Sequence, residues 1–532
     1  MKKPVAQVRL LRVAFHLDAP LRRGSNPRTM NPSESYSALL AELREINRLG
    51  TMESLLAWDQ QTHMPGKGTP FRAEQKSMLA AMMHQRLTSK KVGDWLSAVE
   101  TSDLVADPQS DAAVNVRHTR RDYDRAMKLP EELVRERSRL SVMAHQAWVE
   151  ARKNADFAAF VPWLEKTIAL VRREADCIGY KKHPYDALLD EYEPGDTTAD
   201  VQAVFDELRD PLLQLVGRIV DCGREAPVEI LERTFPVDVQ EKIVRQASAA
   251  IGFDFQAGRL DVSVHPFCQT CGPHDTRLTT RYDEHSFGDS FFSVLHETGH
   301  GLYQQGLPPE HFGAPRGHPV SLGIHESQSR LWENLVGRSR PFWRFFLPKL
   351  KHVFGPTLAD VNEDDWYAAI NDVRPGFIRV DADEATYNLH VLLRFELEQA
   401  MVTGDLAAAD VADAWNERMK KYLGLTPPDA AKGALQDIHW SLGAIGYFAT
   451  YTLGNLYAAQ FFEKASRDLG DLNAMLARGD FAPLLHWLRT NIHSHGQRFG
   501  ARDLVRRVTG QKLSARPMME HLNRKAAEIY RI

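Results

Sequence analysis

The hydrophobic positions of this chain recur at helical spacing over most of its length, from about residue 34 onward. Apolar residues three and four positions apart share one face of a helix, so the pattern predicts amphipathic helices. They are expected at 35–49, 71–87, 129–155, 157–178, 200–222 and 236–251, with Trp58-Asp59 and a Met64-Pro65-Gly66 breaker after the first. Downstream, loops are predicted at Gly355-Pro356, Gly424 to Pro428 and Gly470-Asp471. The pattern predicts a mostly α fold.

The segment 259–283 departs from this pattern. Residues 259–264 alternate between polar and apolar, residues 276–282 are rich in threonine, and a loop of Cys, Gly and Pro lies between them. Alternation with a period of two is typical of strands, so we predict a β-hairpin directly before the next helix. A strand in this position can pair with an extended peptide through main-chain hydrogen bonds.

The 532 residues, 43% of them hydrophobic, suffice for a large core, and no repeat or convincing linker divides them. We predict one unit over 35–532, organised as one body or as two lobes around a groove. Residues 1–34 form a basic leader that we exclude from the fold. Its composition resembles a transit peptide, but a translation start placed too early, with Met30 as the true initiator, is the favoured reading.

Charge and cysteine content narrow the possible functions. A formal net charge of -4 gives no electrostatic support for a nucleic-acid partner, and no apolar run is long enough to span a membrane. Four cysteines do not resemble a disulfide framework, which predicts a reducing, cytoplasmic location. Cys268 and Cys271 form a lone CxxC, which we interpret as two ordinary loop thiols in preference to a metal or redox site.

The five residues His296-Glu297-Thr298-Gly299-His300 predict a metal site. Histidines four apart project from one face of a helix and can hold Zn²⁺, while the glutamate between them reaches a water on the metal's open position. Asp289-Ser290 is the expected cap of this helix, and 306–309 its end. Gly299 and Gly301 disfavour a helix interior, so we expect a second backbone to pass close by.

The third ligand is expected on a separate element, and Glu326 in the next helical pattern is the candidate. Two histidines and one glutamate leave a fourth position for water. His311 is excluded because Pro308-Pro309 interrupts the helix before it. The alternative for Glu326 is a simple ion pair with Arg330, four residues later.

Further motifs give the chain a family resemblance. It resembles the carboxypeptidase Taq family of zinc metallocarboxypeptidases, from about residue 35 to the C-terminus. The matching motifs occur in order, and they are His265-Pro266-Phe267, Asp275-Thr276-Arg277-Leu278-Thr279, the 296–300 pentad, His325-Glu326-Ser327-Gln328, Ile378-Arg379-Val380-Asp381-Ala382-Asp383 and Gly433-Ala434-Leu435-Gln436-Asp437-Ile438-His439-Trp440. Two positions depart from the pattern, Ala449 where proline is expected and Cys271 in a loop of small residues.

The resemblance implies a large helical zincin with a deep groove, which forms homodimers. It also implies release of single C-terminal residues from peptides with broad specificity and poor cleavage at proline. One Zn²⁺ per chain is expected on His296, His300 and Glu326, with Co²⁺ as a possible substitute, and Glu297 as the general base. The substrates are peptides with a free C-terminal carboxylate.

A carboxypeptidase also needs groups that stabilise the oxyanion and groups that bind the substrate carboxylate. Tyr447 and His439 are candidates to stabilise the oxyanion, and core packing is their alternative role. Arg379 and Arg277 are candidates to bind the substrate carboxylate, and each has a structural ion pair as its alternative, Arg379 with Asp381 or Asp383. His265 is placed at the far end of the groove. Supports for the metal-binding histidines are expected among Asp383, Gln436 and Asp437.

Three other readings stay open at this point. An oligopeptidase or dipeptidyl carboxypeptidase of the same helical class shares every zinc residue and differs in where the carboxylate-binding arginine lies. A catalytically dead peptide-binding or scaffolding protein is disfavoured by the intact metal and base residues. A redox-regulated protease is the third, based on Cys268 and Cys271.

Overall fold

A computed structural model describes residues 30–532 of the chain. Most of the predicted leader lies outside these residues. The first helix nevertheless begins at Pro32, inside the segment assigned to the leader, because Asn31 and Glu34 form a capping box across its first turn. This boundary of the predicted leader was wrong, since residues 32–34 are helical.

Helices dominate the described chain, and they confirm the predicted fold class. Those before the sheet are α1 (Pro32–Thr62), α2 (Thr69–Leu87), α3 (Lys90–Glu100), α4 (Asp111–Lys128), α5 (Glu131–Lys153), α6 (Phe157–Ile178), α7 (Pro184–Leu189), α8 (Thr198–Asp221) and α9 (Val237–Ala250). Those after it are α10 (Phe287–Gly306), α11 (Leu322–Arg330), α12 (Arg340–Phe354), α13 (Glu363–Ala369), α14 (Thr386–Thr403), α15 (Val411–Leu423), α16 (Ala449–Leu469), α17 (Leu472–Ala477), α18 (Ala482–Asn491), α19 (Ala501–Thr509) and α20 (Arg516–Tyr530).

The first helix is longer than predicted. It continues past Gly50 and Trp58 to Thr62, and the Met64-Pro65-Gly66 break then separates it from α2 as expected. Trp58 is buried, and its ring lies under the guanidinium of Arg277, 4.2 Å from the ring centroid. Asp59 accepts a hydrogen bond from Arg72 of α2 at 2.7 Å. These tertiary contacts keep the helical conformation where the local sequence suggested an end.

The sheet contains three strands, β1 (Gly258–Val262), β2 (Cys268–Thr270) and β3 (Thr276–Thr280), in the order β1-β3-β2. The two predicted strands are β1 and β3, and they run parallel, so the prediction that they form a hairpin was wrong. The hairpin instead joins β2 to β3, because the Cys/Gly/Pro segment contributes a short antiparallel strand of its own. Strands β1 and β2 form the two edges of the sheet, and β2 packs beside α1.

Hydrophobic side chains form two clusters. The large cluster extends from Leu133 to Tyr530 and surrounds α10, α11 and α16. A small second cluster packs α1 against α3 and α4, with Leu39, Val92 and Leu96 at its centre. The assignment of residues 35–532 to a single unit stays a prediction. Among the residues described, no helix combines the length and apolar composition needed to cross a membrane.

Candidate metal centre and peptide site

Helix α10 presents the predicted metal-binding face. It begins at Phe287, with Ser286 at the N-cap, so the expected cap at Asp289-Ser290 was wrong. It ends at Gly306, as predicted. Phe291, Leu295 and Leu302 are buried on its core side. The helix therefore packs one face into the core and turns His296 and His300 toward Glu326.

A second backbone passes close to this helix, as expected from its glycines. A Cβ at Gly299 would lie 2.5 Å from the carbonyl oxygen of Gln328 and 2.6 Å from the Cα of Ser329. Helix α16 approaches the same region through Gly454, where a Cβ would lie 2.5 Å from Cγ of Glu326. Contacts below 3.0 Å are not tolerated, so glycine is required for these three helices to meet.

Substitution of Gly299 by alanine is expected to lower the free energy of unfolding by about 1–3 kcal/mol, the usual cost of overpacking. The clash is with backbone, which cannot rotate away as a side chain can. Gly288→Ala in the same helix is the matched control, because its Cβ would meet only Phe292, at 3.8 Å. That control is expected to stabilise by roughly 0.5–1 kcal/mol. Urea denaturation measures both, and equal effects would contradict the close approach at Gly299.

Helix α11 brings Glu326 to the two histidines. Its Oε2 lies 3.6 Å from Nε2 of His296 and 3.5 Å from Nε2 of His300. These three side chains are a group of potential metal ligands whose donor atoms lie within 4.8 Å of one another. Ligands about 2.0–2.1 Å from a tetrahedral metal are separated from each other by roughly 3.3 Å. The measured separations are close to this value, so the three side chains fit a metal ion of that geometry.

Hydrogen bonds fix the tautomers of both imidazoles. Nδ1 of His296 lies 2.8 Å from Oε2 of Glu333, and Nδ1 of His300 lies 3.1 Å from the backbone oxygen of His325. A carboxylate and a carbonyl only accept, so both Nδ1 atoms carry the proton and both Nε2 atoms keep a lone pair. Those lone pairs are available for a metal.

The predicted supports for the histidines were wrong. Asp383 accepts hydrogen bonds from the backbone N–H groups of Ala385 and Thr386 at the start of α14. Gln436 and Asp437 bind arginines. The carboxylate that binds His296 is Glu333, in the short π-helical segment Leu331–Val336 that follows α11. Its position seven residues after Glu326, about two helical turns along, was the available signal.

Glu326 pairs with Arg330 and also directs an oxygen at the two histidines. Oε1 accepts a hydrogen bond from Nε of Arg330 at 2.8 Å, while Oε2 points to the histidines. Burial alone would raise the pKa of Glu326, but His296 and Arg330 outweigh it and hold this pKa well below its ordinary value. The carboxylate is therefore ionised and ready to bind a cation.

Glu297 of α10 is buried. Burial raises its pKa above the ordinary range, against the opposing effect of His296 and His300. Its near neighbours include Cys268 of β2, whose thiol pKa is also raised by burial and by the charge of Glu297. A carboxylate with a raised pKa is better suited to accept a proton and return it near neutral pH.

Tyr447 and His439 lie together near Glu326. Their rings are 5.3 Å apart, and His439 Nε2 lies 3.2 Å from the hydroxyl of Tyr451. Burial raises the pKa of Tyr447 to about 12, with the Glu326 charge acting in the same direction. Burial lowers the pKa of His439 to about 4, so its imidazole is neutral at pH 7. Tyr451, which sequence reasoning missed, lies four residues after Tyr447, and that spacing was the available signal.

Arg379 is buried in an ionic cluster. Its Nε and Nη2 donate to Oδ1 of Asp437 at 3.1 and 2.9 Å, and its Nη1 donates to the hydroxyl of Tyr387 at 2.9 Å. The ion pair given as the alternative role of Arg379 is thus present, but its partner is Asp437, so Asp381 and Asp383 were the wrong partners. Arg394 binds the other oxygen of Asp437 through Nε at 2.7 Å. Two guanidinium groups thus share one carboxylate, and one positive charge remains uncompensated.

Arg277 has a different environment. It extends from β3 and pairs with Asp275 through two hydrogen bonds of 2.8 and 2.9 Å, while its guanidinium stacks on Trp58. One carboxylate thus neutralises one guanidinium. His265 is exposed in the loop between β1 and β2, where its backbone oxygen accepts from Ser263 at 2.6 Å. The structure does not bring Arg277 into contact with Arg379 or the metal ligands.

The outer edge of β2 carries main-chain groups that do not bond to β3. Phe267 and Cys271 direct their backbone groups to β3, where they bond to Thr279 and Asp275. In an antiparallel pair the alternate residues point the other way, so the N–H and C=O groups of Cys268 and Thr270 face outward. Thr270 also lines a cavity of about 640 Å³ between α1, the β2–β3 turn and the end of α10. An extended peptide fits along such an edge.

The CxxC pair does not form a disulfide, and all four described cysteines are free. Cys268 lies in β2 and Cys271 directly follows the strand. Three extended residues span about 10 Å, and neighbouring positions point to opposite faces of the sheet. A disulfide requires Cα atoms within about 7 Å. The strand geometry therefore disfavours a redox switch between these two thiols.

Comparisons with known proteins cover nearly the whole described chain. A family model described as carboxypeptidase Taq (M32) metallopeptidase matches residues 38–526. The thermostable carboxypeptidase 1 of Thermus thermophilus is 47% identical over 511 residues, which cover 94% of this chain and 100% of that protein. Carboxypeptidase 1 of Bacillus subtilis is 36% identical over 488 residues, covering 92% and 97%.

Solved structures are similar over the same extent. The crystal structure of an M32 carboxypeptidase from Deinococcus radiodurans R1 superposes with a TM-score of 0.90 at 41% identity, covering 94% of this chain and 100% of that one. The Pyrococcus furiosus carboxypeptidase gives a TM-score of 0.89 at 37% identity, covering 92% and 99%.

Proposed function

The chain belongs to the carboxypeptidase Taq (M32) family of metallopeptidases, and we propose that it uses zinc to release single C-terminal residues from peptides. Membership makes it a metallocarboxypeptidase that acts on peptides and requires a divalent metal. The observation that carries the finer proposal is the triangle of His296, His300 and Glu326. Its donor set of two imidazoles and one carboxylate is typical of catalytic zinc, and Co²⁺ is a possible substitute.

The proposed roles of the remaining residues follow from their positions. A bound zinc supplies an activated water and polarises the scissile carbonyl. Glu297 then accepts the proton of the attacking water and donates it to the departing amine. The outer edge of β2 holds the peptide main chain, and His265 lies beyond its end. Pairing along this edge recognises the backbone and so supports broad specificity, whereas a C-terminal proline lacks the N–H for it.

Arg379 is the favoured group for the substrate carboxylate. A guanidinium has five N–H donors, and three of these are used by Asp437 and Tyr387. The surplus positive charge shared with Arg394 attracts an anion, and His439 stays neutral beside it. Arg277 remains the second candidate, with its charge already balanced by Asp275.

We also propose that the protein is a homodimer and that it is located in the cytoplasm. Light scattering of the purified protein tests the oligomeric state.

Tyr447→Phe is expected to lower kcat by about 10²- to 10³-fold with little change in KM. The phenol donates to charge that develops only in the transition state. Because its pKa lies near 12, it keeps its proton at every lower pH, so the alkaline limb of the wild-type pH profile is not set by Tyr447. Steady-state kinetics of Y447F and of His439→Gln separate the two candidates. A normal kcat in Y447F would remove this role from the tyrosine.

Elemental analysis tests the metal assignment. Protein purified without added metal is expected to carry one zinc per chain, to lose both metal and activity on dialysis against a chelator, and to recover both on zinc addition. Glu326→Gln is expected to weaken metal binding. Full metal content in E326Q would place the third ligand elsewhere.

The rival specificity is that of an oligopeptidase or dipeptidyl carboxypeptidase. A dipeptidyl carboxypeptidase requires a carboxylate-binding group farther from the metal, and an oligopeptidase requires no such group. The guanidinium of Arg379 lies 4.8 Å from the ring centroid of Tyr451, and Tyr451 packs beside Tyr447, which feels the charge of Glu326. This proximity of the Arg379 cluster to the proposed metal site supports release of single residues instead.

A further inference from the structure

Arg330 lies among the metal-binding side chains although an arginine cannot bind a metal. Its Nε donates to Oε1 of Glu326 at 2.8 Å and its Nη1 donates to Oε2 of Glu333 at 3.2 Å. Its guanidinium also lies 4.3 Å from the ring centroid of Tyr387. The side chain is only 14% exposed, so solvent does not compete for these contacts. The guanidinium therefore bridges the ligand Glu326 and the support of His296.

This bridge distinguishes the two oxygens of Glu326. Oε1 is occupied by Arg330, whereas Oε2 lies 3.6 and 3.5 Å from the Nε2 atoms of His296 and His300. We propose that Arg330 is a positioning residue that restricts Glu326 to binding the metal through Oε2 alone. This inference rests on the proposed metal site.

The restriction has a chemical consequence. Carboxylates bind metals through one oxygen or through both. With one oxygen from Glu326 and two imidazole nitrogens, three donor atoms are committed, which leaves room for water and for the substrate carbonyl. A Glu326 free to use both oxygens would occupy one of these positions. Arg330 thus keeps the site open.

The Arg330 guanidinium also orients Glu333, the carboxylate that binds Nδ1 of His296. Glu333 accepts from both Arg330 and His296 through Oε2. Because the guanidinium is a planar fork, one side chain orients both carboxylates. A purely structural ion pair would stabilise the fold without deciding how Glu326 binds.

Cobalt-loaded protein tests this proposal, because the visible absorbance of Co²⁺ falls sharply as its coordination number rises. The variants are Arg330→Met, which removes the donor, and Arg330→Lys, which retains a donor for Oε1. Arg340→Met is the matched control, since Arg340 pairs with Glu363 and Asp364 of α13. Spectra, circular dichroism and Co²⁺ affinity by chelator competition are recorded for each.

The expected result is that R330M binds Co²⁺ with a molar absorbance reduced several-fold, while R330K and R340M keep the wild-type spectrum. A folded, Co²⁺-loaded R330M with the wild-type spectrum would overturn the proposal. If R330M does not fold, Arg330→Leu, a smaller side chain that also lacks a donor, takes its place, and a wild-type spectrum in that folded, Co²⁺-loaded variant would overturn the proposal. Failure of wild-type protein to bind Co²⁺ would instead contradict the proposed metal site itself.

Discussion

Replacing Glu297 with glutamine is expected to lower kcat by at least roughly 10³-fold while the metal stays bound, since a positioned base contributes about 10²–10⁴. Glutamine keeps the shape of the side chain but cannot accept the proton of the attacking water. Glu297 is not among the three proposed ligands, and its carboxylate lies near Cys268 of β2. Metal content is therefore expected to be unchanged.

Two measurements check this expectation together. Steady-state kinetics give kcat, and elemental analysis gives the metal content of the same preparation. Glu241→Gln, an exposed change on the neighbouring helix α9, is the control and is expected to retain wild-type kcat. Turnover near the wild-type rate in E297Q would assign the base role to another residue.

Replacing Arg379 with methionine is expected to lower kcat/KM for a free-acid peptide by about 10²- to 10³-fold, because loss of one partner of a buried charge pair costs about 2–5 kcal/mol. The fold is expected to survive, because Asp437 keeps its pair with Arg394. Arg277→Met is the matched comparison. Its loss leaves Asp275 half-exposed in solvent, and the expected reduction in kcat/KM is less than tenfold.

Thermal unfolding of both variants confirms that they remain folded before their kinetics are compared. A large loss of kcat/KM in R277M, with R379M close to wild type, would transfer carboxylate recognition to the strand β3. Small losses in both variants would favour a rival specificity that does not depend on the terminal charge.

The sequence was sufficient to predict the parts that depend on local spacing. The metal-binding face of α10 follows from the separation of His296 and His300, and the helices follow from their apolar periodicity. The close backbone approach at Gly299 was also predictable, because a helix interior otherwise disfavours glycine. The extension of α1 past Trp58 was not, since contacts with Arg277 and Arg72 hold it.

The errors concern partners that are distant along the chain. Nothing in the alternation of residues 259–283 encodes whether β1 and β3 run parallel or antiparallel, because that depends on the short strand between them. The pairing of Arg379 with Asp437 instead of Asp381 similarly depends on packing between two loops. Glu333 binds His296 across 37 residues of sequence, a contact that depends on the packing of α10 against the segment after α11.

Mass spectrometry of one N-terminally blocked peptide, incubated with the zinc-loaded protein as the free acid and as the C-terminal amide, tests the central claim most directly. The account predicts stepwise loss of single C-terminal residues from the free acid and no cleavage of the amide, because recognition by arginine requires the carboxylate charge. Internal cuts or dipeptide release that continue in the amide would contradict the assignment of Arg379 and the proposed specificity.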